Sequence, residues 1–480
     1  MDKGRSRSIS PVLVTAAMVM VFVLTLLAYR GALNNALVWD SVYYLVGNES
    51  RISSLSLENL QWMMTTMEMG SWHPLTWLSW AIDYQLLGTL DPAGLHLSNV
   101  TLHGVNSALV LLLMLQLIHL AGPEKSASAA ISGSAALVAA CLVGLLFALH
   151  PQHVESVAWV AGRKDLLCQL FMLLSLITYL RFGSAPGGRQ KRWYVASWLF
   201  ALLAVMAKPM AVSLPVIMLV LDAYPLGRLD CTHSARSLMV SLLRRVAEKT
   251  PFILLSLMVA VIAMVAQDHA IASTIPWSSR VLNGFNSYLA YLSKLLLPLA
   301  LSPHYPFVMM SDSGVEMQQL VPVAGFMGIS FLAVWLWLKG HRWFMAAWAI
   351  YVVSLLPVIG VVPFGLPGMA DRFAYFPTLP FYCLGGGLIY QGLTREKARK
   401  WLTALTAAAL CTWYAWLTES QVRVWKSEIT LWQHAATTLP GDWTARTKFG
   451  VALMSVGAFE AALGQFDAAS SLPGRKAAAL

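Results

Sequence analysis

Apolar residues run through this chain in long unbroken blocks. Stretches of about 17–25 residues lie near 11–30, 97–120, 133–149, 165–181, 193–208, 210–224, 251–267, 320–338, 343–361, 376–393 and 401–418. Blocks of that length match the hydrocarbon core of a bilayer, so the pattern predicts an all-α polytopic membrane protein with about eleven transmembrane helices. The first block follows MDKGRSRS and is long enough to be a retained span instead of a cleaved signal segment. Another stretch, near 281–300, is interrupted by Asn283, Asn286, Ser287 and Lys294, which predicts an interfacial or re-entrant helix. Polar positions collect in two places, a long connection at 31–96 and a tail at 419–480.

Composition agrees with the pattern. The chain is 58% hydrophobic and 12% charged, with a mean hydropathy of +0.62, which excludes an ordinary soluble domain. The net charge of +10 invites a nucleic-acid reading. The basic residues instead cluster at Lys3–Arg7, Arg181–Arg192, Arg228–Lys249 and Arg395–Lys400, which share one side if the N-terminus is cytoplasmic. That topology puts 31–96 and the tail on the outer side and leaves no nucleic-acid partner expected. Counting 281–300 as a full span would put Arg395–Lys400 outside. Cys141, Cys168, Cys231, Cys383 and Cys411 are scattered, with neither metal spacing nor a disulfide framework.

The outer connections hold the candidate chemistry. Asp40, in WDSVYY, reads as a general base or acceptor-binding carboxylate, or else as a solvated acid in an aromatic belt. SWHPLTWLSW carries His73, and His96 and His103 lie seven apart on one helix face. That spacing is too long for one metal ion without further ligands, so no metal is indicated. ALHPQHVESVAWVAGRKD (148–165) concentrates His150, His153, Glu155, Arg163, Lys164 and Asp165 between two apolar runs. MAKPMAVSLP presents Lys208, and GMADRFAYFP presents Asp371 and Arg372. One such cation could snorkel or pair locally. Three turns presenting Lys or Arg at one depth point to a phosphate at headgroup level, held by an Arg fork and Lys point charges.

In the tail, Gly450, Gly457, Ala462, Phe466, Ala469 and Pro473 follow tetratricopeptide spacing. Stepping back 34 residues from Phe466 and Ala469 reaches Trp432 and Ala435. A plain amphipathic hairpin is the other reading. One and a half repeats cannot bury a solenoid core, so the tail is expected to dock on the membrane part. The chain thus divides at 1–418 and 419–480.

These motifs together resemble a known family. W-D-x-x-Y-Y, W-H-P-L-T-W-L-S, L-H-P-x-H-V-E-S-V-A-W-V-A-x-R-K-D, K-P-M-x-V-x-L-P and A-D-R-F-x-Y-F-P, followed by repeats, resemble the bacterial relatives of the transmembrane and tetratricopeptide repeat-containing protein O-mannosyltransferases. The resemblance covers roughly 30–475. It implies a C-type glycosyltransferase architecture and an inverting transfer of a sugar from a polyprenyl-phosphate donor to an acceptor hydroxyl, on protein Ser or Thr, outside the cytoplasm. It implies a bacterial inner-membrane location with the tail periplasmic, membrane lipid as partner, a protein acceptor recruited by the tail, and the lipid-linked sugar phosphate as donor, and it leaves a divalent metal open. Carried onto this chain, Asp40 is the catalytic group. Arg163, Lys164, Lys208 and Arg372 hold the donor phosphate, with Asp165 orienting the first two. His73, His96, His103, His150, His153, Glu155 and Asp371 organise the pocket. The chain departs from its relatives at Ser41, where W-D-D is common, so a two-carboxylate scheme is in doubt. A transporter of a lipid-linked anion, using the same cations as a path, and a non-catalytic scaffold presenting repeats are the competing readings. The long outer connection and the lack of an inverted repeat speak against transport.

Overall fold

The computed structural model describes residues 9–121, 133–185, 188, 190–229, 234–267, 275–309, 317–361 and 368–472. Pro473 and Cys231 lie outside the described residues. Among the described residues the chain forms helices and no strand, with a single isolated bridge between Tyr305 and Met369. In order the helices are α1 (Pro11–Ala28), α2 (Glu49–Ile52), α3 (Leu57–Thr65), α4 (Pro74–Leu87), α5 (Pro92–Ala121), α6 (Gly133–Ala148), α7 (Val154–Ala158), α8 (Arg163–Ser184), α9 (Gln190–Ala207) and α10 (Leu214–Ala223). They continue with α11 (Ala235–Glu248), α12 (Thr250–Ala266), α13 (Trp277–Leu296), α14 (Met317–Leu338), α15 (Arg342–Leu355), α16 (Leu379–Leu393), α17 (Lys397–Val424), α18 (Glu428–Thr438), α19 (Trp443–Ser455) and α20 (Phe459–Ser470).

Each of the eleven apolar runs is helical. Four stretches, Pro11–Ala28, Pro92–Ala121, Val160–Ser184 and Gln319–Leu338, are long and apolar enough to cross a membrane as single rods, or six if two bent pairs each count as one. The others are shorter or broken, and prolines sit at the breaks: Pro151, Pro209 and Pro357 each open a 3₁₀ turn. α1 and α14 turn Val12, Leu13, Val19, Leu27, Phe331 and Leu338 outward, the face of a chain whose solvent is lipid. The protein is a multi-pass membrane protein.

The break after α6 shows how this solvent is managed. Ending a helix orphans its last carbonyls, and no water is at hand to take them. Here side chains do so. Phe147 O bonds to His153 Nδ1 at 2.8 Å, Ala148 O to His103 Nε2 at 2.9 Å, and Leu149 O accepts from Thr418 Oγ1 at 2.7 Å. The chain then bends by 52° into α7. Gly162 ends this stretch because the backbone passes against Ser156; an ideal Cβ there would stand 2.5 Å from Ser156 O.

Asn283, Ser287 and Tyr291 of α13 face the protein. Asn283 Nδ2 and Ser287 Oγ donate to Gly368 O at 2.8 and 3.3 Å, and Tyr291 exchanges bonds with both N and O of Ala370. This helix therefore carries the segment that presents Asp371 and Arg372.

The tail packs onto the membrane part. Ser427 opens α18 with a capping box. His434 Nε2 lies 2.9 Å from Leu301 O, and His304 Nδ1 lies 2.7 Å from Asp442 Oδ2. Within the tail, Phe466 rests on Gly450, where a Cβ would meet its ring at 2.6 Å.

Candidate functional site

The 31–91 connection, the α6–α8 turn, Lys208 and the Asp371–Arg372 segment converge at one end of the bundle. Asp40 is half-buried and acts electrostatically on Tyr44, Lys164 and Arg372. Its carboxylate makes no hydrogen bond or ion pair with any described residue. Lys164 Nζ stands 3.5 Å from Tyr44 Oη, 5.0 Å from the Tyr44 ring centre and 5.5 Å from that of Trp159. It too lacks an ion-pair partner among the described residues. Lys208 pairs with Asp165 and lies 4.9 Å over the Phe373 ring. Arg372 donates through its backbone N–H and Nη1 to Glu155. Its guanidinium stacks 5.1 Å from the Trp159 ring and 5.5 Å from the Trp39 ring. Three cations thus lie within electrostatic reach of three carboxylates. Lys164 and Asp40 are the two of the six without an ion-pair partner there.

Arg163 stands elsewhere. It is 1% exposed, and all three of its nitrogens are taken: Nε by Asn99 Oδ1 at 2.5 Å, Nη1 by Asp83 Oδ2 at 2.5 Å and Nη2 by Leu95 O at 2.9 Å. Buried and already donating from every nitrogen, it does not face the space that holds Lys164 and Arg372. Its place is a buried brace between α4, α5 and α8. Asp165, expected to orient Arg163 and Lys164, instead holds Lys208.

The histidines divide in the same way. His103 and His153 close the end of α6, and His103 Nδ1 lies 2.7 Å from Tyr375 Oη. His150 Nε2 bonds to Leu295 O at 3.0 Å and its Nδ1 accepts from Gln152 N–H. Their work is to satisfy backbone carbonyls. His96 and His103 are both buried on α5 but face different neighbours, His96 the Asn35–Ala36 segment and His103 the rings of Tyr29, Phe147 and Tyr375. His73 is fully buried in a box of Tyr44, Trp77 and Trp80. Burial, then Lys164, holds its pKa well below the usual value, so the ring is neutral.

Asp371 accepts from Tyr305 Oη at 2.9 Å. Burial lifts its carboxyl to about 7, against the pull of Lys294 and with help from the Glu155 charge. The folded protein therefore keeps this proton where the unfolded chain loses it. The stability tied to the group is full below the ordinary carboxylate range and is lost as pH rises toward about 7. Thermal unfolding of Asp371→Asn beside wild type is expected to show this. The midpoint of wild type minus that of the variant should fall between pH 4 and pH 7, and a flat difference would contradict it.

Several residues at this site drew no assigned role from the sequence, although Trp39, Tyr44 and Trp159 stand inside its motifs. Tyr44 and Trp159 frame Lys164, Trp39 underlies Arg372, and Tyr305 and Tyr291 hold the Asp371 segment. Aromatic residues are so common near membrane surfaces that none stands out. Ser41 is fully buried, and its Oγ accepts from Ala161 N–H at 3.2 Å.

A multi-pass membrane protein with an acid and a set of cations gathered at one end of its helices defines the class. Its relatives narrow this. The mouse protein O-mannosyl-transferase TMTC4 is 31% identical over 237 residues, covering 47% of this chain and 31% of the mouse protein. The Drosophila melanogaster protein O-mannosyl-transferase Tmtc3 is 24% identical over 448 residues, 83% of this chain and 48% of the fly protein. The chain is similar to these protein O-mannosyl-transferases, and the matches span less than half the length of either protein. No family model matches. A solved structure of the Archaeoglobus fulgidus oligosaccharyltransferase, tethered with an acceptor peptide, aligns with 84% of this chain and 55% of its own at 15% identity and a TM-score of 0.45.

Proposed function

We propose that this chain is an integral membrane glycosyltransferase of C-type architecture. It moves a sugar from a polyprenyl-phosphate donor to an acceptor hydroxyl, on protein Ser or Thr, on the non-cytoplasmic side. The observation that carries the reading is that, among the described residues, neither the Asp40 carboxylate nor the Lys164 ammonium has an ion-pair partner, each lies within electrostatic reach of the other, and Arg372 lies over the rings of Trp159 and Trp39. Asp40 takes the acceptor hydroxyl proton as the oxygen attacks the anomeric carbon. The bond from that carbon to the phosphate oxygen breaks, and the lipid phosphate leaves with its electron pair. Lys164 and the partly exposed Arg372 lie where that charge develops. Attack from the face opposite the phosphate inverts the anomeric centre.

An apolar cavity of about 460 Å³ lies between α5, α8, α10, α15 and α16. It begins at Phe376 and Leu379, just beyond Arg372, and runs along α16 to Gln391. An isoprenoid chain has the right chemistry for it. The tail, on the same reading, is the surface that receives the acceptor protein.

The test is release of sugar from radiolabelled polyprenyl-phosphate-sugar donors by the purified protein. No turnover with any such donor would sink the reading. Lys164→Met keeps the stem length and removes the charge. The donor KM of that variant is expected to rise about tenfold or more, the worth of a hydrogen bond to a charged group. An unchanged donor KM would remove Lys164 from the phosphate site.

A further inference from the structure

Asp40 follows a residue in an unusual conformation. Trp39 has φ +54°, in the left-handed region that a bulky side chain enters only when its surroundings force it there. Those surroundings come largely from the tail. The Trp39 N–H donates to Glu428 Oε1, and the other oxygen of that carboxylate accepts from Trp432 Nε1 at 2.7 Å. The Trp39 ring stacks on Trp159 at 5.0 Å and on Trp425 at 6.4 Å, and meets Trp432 edge-on at 5.4 Å. The strand of chain leading in is tied to the same helices: Asn35 Nδ2 donates to Val422 O at 3.2 Å and Ala36 N–H to Lys426 O at 3.0 Å. The residue after Asp40 is tied the other way, by Ser41 Oγ to Ala161 N–H.

Asp40 is therefore suspended between two anchors, one on the tail and one on the turn before Arg163. The left-handed turn at Trp39 sets the direction in which its carboxylate leaves the chain. Arg372 rests on the same Trp39 ring.

We propose that Glu428, on the first helix of the tail, is a positioning residue for sugar transfer: by holding the Trp39 peptide it aims Asp40 and levels the ring under Arg372. The tail is then part of the catalytic geometry as well as an attachment surface. This rests on the glycosyltransferase reading above and adds a role which that reading does not need.

The test uses the full-length protein, with kcat and donor KM for sugar transfer and amide exchange at Trp39 measured in the same preparations. Glu428→Ala is expected to lower kcat about ten- to hundredfold, the cost of a misaimed catalytic group, with donor KM within about twofold, and to speed exchange at Trp39. Glu428→Gln retains an oxygen for the Trp39 N–H and is expected to recover most of kcat, which a general loss of packing would not allow. Trp432→Phe keeps the ring and loses the Nε1–H that steadies Glu428. It should fall between wild type and Glu428→Ala, and it serves if the alanine variant does not fold. Wild-type kcat in both Glu428→Ala and Trp432→Phe, or a glutamine variant no better than alanine, would overturn the proposal while leaving the glycosyltransferase reading intact. A wild type that turns over no donor would overturn that reading and this assignment with it.

Discussion

Asp40→Asn is expected to lower sugar transfer about 10²- to 10⁴-fold, the usual contribution of a positioned general base, while donor binding stays within about twofold. Asparagine keeps the shape of the side chain and cannot take a proton. The Asp40 carboxylate makes no hydrogen bond or ion pair with a described residue, so the change should cost little stability. A large loss of rate with an unchanged melting temperature is the informative combination. Ser41 sharpens the expectation. A second acid at this position could share the work. In this chain the position is buried and faces the backbone of Ala161. A serine hydroxyl cannot take over the proton, so the loss should be large. Equal rates in wild type and Asp40→Asn would take Asp40 out of the mechanism and move weight to the scaffold reading.

Arg163→Met is expected to destabilise the protein by about 3–5 kcal/mol, the usual cost of breaking a buried ion pair from one side. The substitution leaves Asp83 buried with only the Ser98 hydroxyl as partner. It also strips donors from Asn99 Oδ1 and Leu95 O. Thermal unfolding in detergent should record the loss. Adding Asp83→Asn should recover part of it, since the orphaned charge is then gone, and the double-mutant cycle measures the coupling. At a permissive temperature the donor KM of the single variant should match wild type, because Arg163 is buried between α4, α5 and α8 and donates to Asn99, Asp83 and Leu95. A raised donor KM with normal stability would return Arg163 to the phosphate site.

The contrast between Arg163 and Lys164 shows where reading the chain alone stops. Both are basic, both open α8, and the motif V-A-G-R-K-D treats them alike. Neighbours on a helix point about 100° apart. One therefore enters the packed space between α4 and α5, and the other the space beside Tyr44 and Trp159. Which goes where depends on how α8 is rotated against helices some 60 to 80 residues earlier. The histidines repeat the lesson. His103, His150 and His153 read as pocket chemistry because ionisable groups are costly in a membrane. The cost is met by backbone carbonyls left open at a helix break, which become visible only once the break is folded.

The sequence by itself determined the class of this protein. Apolar blocks of membrane length need no partner to be recognised, since a helix closes its own backbone hydrogen bonds and lipid asks only that its surface be apolar. It also determined which turns carry charge, and it brought Asp40, Lys164, Lys208 and Arg372 to notice through their motifs. Tertiary structure alone decided how those charges are shared. It gave Asp165 to Lys208 and Glu155 to Arg372, and left Asp40 and Lys164 without an ion-pair partner among the described residues. It also joined Trp39 to Glu428 across 389 residues. Ion pairs and ring stacks act over a few ångströms of space, whatever the distance along the chain, so no local pattern of residues can record them.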